Sequence, residues 1–200
     1  MTRRPCLQVL ALVAPVVLLV PTSAHAEKVV TEDAAGDVMS LAGESQEPEQ
    51  AQPAPDHTGV DVVRTAVDHG AHRLRVSVRF RDLEQDPVQI AVVRVRAARG
   101  DFEITLGRLR AKPTTYMVSG RRSLECRGLR ARVDRDADTL VTSLPTSCLD
   151  DPRWVQVGVG AVAVDGGQAS PQEATIHADD AHRTGEIRDR IALGPKVRRG

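Results

Sequence analysis

Between Val60 and Val164 apolar residues recur at alternate positions, and helical periodicity is absent. Leu74, Val76, Val78 and Phe80 alternate with Arg73, Arg75, Ser77 and Arg79, the pattern of a strand that buries one face and turns the other to water. Val60 to Asp68 is β-branched and leads into it through Asp68-His69-Gly70. Val88 to Ala98 is apolar on both faces around Ile90 to Val93, as expected of a more central strand. After the turn Arg99-Gly100-Asp101, Phe102, Ile104 and Leu106 resume the alternation, and Thr115 to Ser119 makes another short strand. In Trp154 to Val164 the apolar side holds Val155, Val157, Val159 and Ala161. Gly158 and Gly160 stand on the other side, where they imply close backbone approach or a bend.

A hairpin is expected between Cys126 and Cys148. Leu129, Ala131 and Val133 alternate before an Asp-rich break, and Leu140, Thr142 and Leu144 alternate after it. Matching the two sets places Val133 opposite Leu140, Ala131 opposite Thr142 and Leu129 opposite Leu144. Carried outward, this register puts Cys148 opposite Glu125, an offset of one residue from Cys126 that a bulge or Pro145 can absorb. A disulfide there stabilises the fold by roughly 3 kcal/mol in the chain-entropy model; the alternative is two buried thiols. About eight short strands joined by turns make an all-β domain, an antiparallel β-sandwich or jelly roll of the immunoglobulin kind with one disulfide.

The ends of the chain set its expected address. Arg3 and Arg4 precede the apolar run Leu7 to Val20, and Ala24-His25-Ala26 is a small-x-small cleavage signal. Residues 1–26 are therefore read as a Sec signal peptide cleaved after Ala26, which makes the protein secreted or extracellular. Cleavage also removes Cys6 and leaves Cys126 and Cys148 as a pair in an oxidising compartment. Residues 27–200 form one domain, with a flexible Pro/Glu/Gln-rich insertion at 44–56 and a polar C-terminal segment at 165–186. Ile187, Ile191 and Leu193 are the residues able to dock the C-terminal end of the chain. No later apolar run reaches membrane length. The 27 basic and 27 acidic side chains balance, which argues against general attraction to nucleic acid.

Candidate chemistry is sparse. Asp33 and Asp37 flank a Gly-containing loop, and with Asp61 they form a candidate Ca²⁺ site. Asp134, Asp136 and Asp138 also alternate, but Thr139 and Pro145 occupy the EF-hand glycine and glutamate positions, so a solvated turn is the simpler reading. His69 with His72, and His177 with Asp179, Asp180 and His182, offer zinc-type donors, against a default of surface histidines. Ser119-Gly120 lacks the preceding glycine of a nucleophile elbow, and no catalytic set stands out. Arg73, Arg75, Arg79 and Arg81 form a basic strand face, continued by Arg94, Arg96, Arg108 and Arg110. That face either binds an anionic envelope polymer or keeps an outer sheet surface soluble.

The order Asp33-Ala-Ala-Gly-Asp37, then Val60-Asp61-Val62-Val63-Arg64, then Leu74 to Phe80 resembles the opening of secreted bacterial modules akin to DOMON and family 9 carbohydrate-binding domains. Pro145 to Val157 resembles a stretch recurring in secreted actinobacterial proteins. The resemblance implies a DOMON-like sandwich and a glycan or cell-envelope polymer as partner. Sugar stacking on aromatic rings finds few candidates, since residues 27–200 hold only Phe80, Phe102, Tyr116 and Trp154. The expected function is a non-enzymatic extracellular binding module holding a structural Ca²⁺. The rivals are a carboxylate-based extracellular hydrolase and a purely structural or interaction protein.

Overall fold

In β5 (Arg73–Phe80) the four apolar side chains are buried and Arg73, Arg75 and Arg79 are exposed, so the alternation becomes an inside and an outside. The computed structural model describes residues 27–42, 48–83, 90–107, 113–166 and 174–200. The expected signal peptide, Arg108 and Arg110 lie outside the described residues. The chain before β5 forms β1 (Glu27–Glu32), β2 (Met39–Ala42), β3 (Gln52–Pro53) and β4 (Val62–His69). After it come β6 (Ile90–Ala97), β7 (Gly100–Gly107), β8 (Thr114–Ser119), β9 (Arg122–Leu124) and β10 (Arg130–Asp134). The last strands are β11 (Thr139–Pro145), β12 (Trp154–Asp165), β13 (Thr175–Asp180) and β14 (Lys196–Arg198).

These strands pair antiparallel in two sheets. One runs β1-β4-β5-β11-β10 and the other β3-β2-β13-β12-β6-β7-β8-β9, with β14 beside β12. The inner faces meet in one core that includes Leu74, Phe80, Ile104, Leu106, Leu140 and Leu144. The protein is an all-β sandwich, and among the described residues no helix is long and apolar enough to cross a membrane. The strands exceed the expected eight because short edge strands such as β3, β9 and β14 are too brief to show a period.

The hairpin of β10 and β11 pairs Val133 with Leu140 and Ala131 with Thr142, the register expected from alternation. Leu129 does not reach Leu144: its amide donates to the Cys126 carbonyl in a turn with Gly128 at φ +93°, and Leu144 pairs with Leu74. That turn absorbs the offset and lets Cys126 and Cys148 join, with S–S 2.07 Å and Cα atoms 5.6 Å apart.

One expectation is corrected, that for His69, and two segments gain detail. Of segment 44–56, residues 44–47 lie outside the described residues, Pro48–Gln50 forms a 3₁₀ turn and β3 pairs with β2, where the Ala54 amide donates to Val38. Segment 165–186 contains β13, held between β12 and β2. His69 is a fully buried side chain of β4 rather than a surface histidine; its Nδ1 donates to the Val197 carbonyl at 3.2 Å, and burial lowers its pKa.

The glycines of β12 act as expected. A Cβ on Gly158 would lie 1.9 Å from the Ala192 carbonyl oxygen, and one on Gly160 would meet Ile191. The C-terminal segment therefore packs directly on the outer face of β12, where the Gly194 amide donates to Val157 at 2.9 Å.

Candidate functional site

The most unusual group of side chains gathers beside the start of β4. In β4 the inward residues are Thr65, Val67 and His69, yet Val62, in the opposite phase, is also buried opposite Phe80. The register shift between Val62 and Arg64 reconciles the two phases, as a bulge does when it re-aims a strand end. Asp61 lies fully buried just before the strand, facing the turn that contains Asp33 and Asp37. From the opposite sheet comes Asp179, which is 6% exposed on the core-facing side of β13.

Each of these four carboxylates spends one oxygen on a backbone amide. Asp33 Oδ1 accepts from Ala34 at 3.0 Å, and Asp37 Oδ2 accepts from Gly185 at 3.3 Å. Asp61 Oδ2 accepts from Gly36 at 2.7 Å and also from Arg81, whose Nη1 lies 3.0 Å away. Asp179 Oδ2 accepts from Val62 at 2.7 Å, a bond that ties the two sheets together. The other oxygen of every one of them is withdrawn from solvent and has no hydrogen-bond partner among the described residues. Gly36 is needed where it is: it sits at φ +80°, and a Cβ there would lie 3.2 Å from the Arg81 guanidinium.

Burial makes these acids hard to ionise. Desolvation, reinforced by neighbouring carboxylates, pushes Asp33 up to about 7 and Asp179 up to about 8, and burial also raises Asp37 and Asp61. Oxygens of Asp33, Asp37 and Asp179 lie within 4.8 Å of one another, a separation that one cation can bridge. Asp61 stands beside this trio, partly neutralised by Arg81.

The expected calcium group Asp33, Asp37 and Asp61 therefore gathers at one place, with Asp179 as a member that spacing alone does not reveal. Local spacing groups Asp179 with His177, Asp180 and His182, but the strand separates them. Asp180 points the other way, accepting from Ala192 at 2.8 Å and pairing with Arg183. His182 is buried against Gly194, which lowers its pKa, and His177 meets His57 and Asp165 at the rim. Asp134 ends β10 opposite Thr139, and Asp136 and Asp138 lie in the hairpin turn, where Asp138 at φ +50° accepts from the Leu83 amide at 2.9 Å.

The arginine face divides. Arg75 and Arg79 point outward from the five-stranded sheet, near Arg64, Arg130 and Arg132 on neighbouring strands. Two shallow grooves cross this surface, one of about 370 Å³ lined by Lys28, Arg64 and Arg79 and one of about 490 Å³ lined by Arg75, Arg130 and Arg132. Arg73 is held by Ser143 and the Gly128 carbonyl. Arg81 is not part of the face, since it turns in to Asp61 and donates to the Pro55 carbonyl. Arg94 and Arg96 belong to the other sheet and share Asp101. No family model, curated protein or solved structure matches the chain.

Proposed function

We propose that this chain is a non-enzymatic, calcium-held β-sandwich of the cell exterior that presents the basic face of its five-stranded sheet to an acidic polymer. The observation that carries the calcium reading is the set of four carboxylates, each with one oxygen tied to an amide and the other buried without a partner. Buried polar atoms are almost always satisfied, and Asp33, Asp37 and Asp179, each with an orphaned oxygen and with carboxylate oxygens within 4.8 Å of one another, supply the donors that a hard cation requires. Ca²⁺ takes about six to eight oxygen ligands in flexible geometry, so it suits an all-carboxylate set drawn from two loops and a strand. The rival hydrolase reading needs two acids that a substrate can reach, whereas Asp61 and Asp179 are 0% and 6% exposed. The export signal supports the location, and the resemblance to DOMON-like modules supports a binding role.

Calorimetric titration of the metal-free protein is expected to show one Ca²⁺ per chain, with the signal lost in the Asp33→Asn/Asp179→Asn double variant. Absence of heat, with an unchanged melting temperature, removes the calcium reading. On an acidic glycan column, Ca²⁺-loaded protein is expected to be retained in a salt-sensitive manner and the Arg75→Glu/Arg79→Glu variant to pass through. Equal elution of both proteins removes the polymer reading.

A further inference from the structure

Two residues before Asp179, the same face of β13 carries His177, and there the core ends. β12 and β13 pair Ala163 with His177 and Asp165 with Thr175, so His177 and Asp165 are diagonal neighbours on one face. His57 reaches them from the turn after β3, in which its amide donates to Ala54 at 3.1 Å. The two imidazole rings stack with centroids 3.9 Å apart and planes inclined by 24°. Both Nε2 atoms aim at one oxygen: Asp165 Oδ2 lies 3.4 Å from His57 and 3.2 Å from His177. The histidine side chains are 10% and 13% exposed, while Asp165 is 63% exposed.

Hydrogen bonding alone leaves this arrangement unsatisfied. Among the described residues neither ring nitrogen of His57 makes a hydrogen bond, although both are withdrawn from solvent, and such burial is costly. A divalent cation on both Nε2 atoms converts their lone pairs into ligand bonds, and Asp165 balances part of its charge. One donor atom from each residue lies within 4.8 Å of the others. Two imidazoles and one carboxylate suit zinc and similar borderline cations, whereas the all-oxygen group at Asp179 suits a hard one. The outward side opens on a depression of about 340 Å³ lined by Pro53, Ala54, Pro55 and Asp56.

The geometry points to a second metal site, at the rim of the larger sheet, in which His57, His177 and Asp165 bind a Zn²⁺-class cation and leave a coordination position open to solvent. Metal-stripped protein held in excess Ca²⁺ and titrated with Zn²⁺ is expected to take up one equivalent. The His57→Gln/His177→Gln variant is expected to bind it about 100-fold more weakly or worse, beyond what loss of a ligand's supporting hydrogen bond alone brings about. Co²⁺ in place of Zn²⁺ is expected to show visible d–d bands in the wild type that the variant lacks. Because Asp165 is exposed, Asp165→Asn supplies a variant that folds even if the double substitution does not, and it is expected to weaken Zn²⁺ binding as well. Equal Zn²⁺ uptake by wild type and variants, or no uptake at all, overturns the proposal and leaves two histidines sharing one carboxylate. Loss of Ca²⁺ binding in Asp33→Asn/Asp179→Asn with Zn²⁺ uptake retained separates this site from the acidic one.

Discussion

Asp179 and His177 occupy successive inward positions of one strand, yet their surroundings differ in kind. Asp179 faces the opposite sheet, where the Val62 amide holds one oxygen and three other acids crowd the second. His177 faces the margin, where the next residue on that side of β12 is the exposed Asp165 and the His57 ring supplies the cover. The first group is wired into the fold through four backbone amides from three separate segments. The second is assembled from side chains. Depth on a single strand thus decides whether a group of side chains is tied to the backbone of the fold or only to other side chains.

The largest effect expected is a global one that acts on both regions alike. Removing the disulfide with Cys126→Ser/Cys148→Ser should lower unfolding free energy in denaturant by roughly 3 kcal/mol, with both metal affinities unchanged. A fall in only one affinity would show that the corresponding site leans on the β10–β11 hairpin, and depth would no longer be what separates the two.

The next effect concerns only the deep site. Raised carboxyl pKa values mean that the folded chain keeps protons that the unfolded chain releases. Without metal, stability should therefore fall as pH rises, starting near the ordinary carboxylate range of about 4 and levelling off once Asp33 and then Asp179 ionise. Ca²⁺ favours the ionised form, so its affinity should climb through the same window, and at a hundredfold excess over Kd it should add about 2.7 kcal/mol. Melting curves across pH, with Ca²⁺ and with chelator, check both signs. A metal-free melting temperature that rises over this interval contradicts the account.

The smallest effect belongs to the rim. His57→Gln should change metal-free stability by less than about 1 kcal/mol, as a side chain held by no backbone bond would, and should leave the response to Ca²⁺ intact. A larger loss in thermal unfolding would mean that the rim is as coupled to folding as the interior.

Local alternation sufficed for much of the fold. Leu74 to Phe80 against its arginines defines β5, and the matched sets around the Asp-rich turn give the pairing of Val133 with Leu140 and Ala131 with Thr142. The cysteines were legible for the same reason, because hairpin partners are near in sequence. β13 was not legible, since its inward positions hold His177 and Asp179 and so read as a polar stretch. Period two was present there, but in titratable residues rather than apolar ones.

What the sequence by itself determined is therefore the strand periodicity, the central hairpin with its disulfide, and the nearness of Asp33 and Asp37. The tertiary structure decided the rest of both candidate sites. The Gly36 amide and the Arg81 guanidinium enclose Asp61, sheet packing brings Asp179 across from a distant strand, and the loop after β3 lays His57 on His177. Each of these depends on closing long stretches of chain and on which face a neighbouring element covers. Residue spacing along the chain carries no record of either.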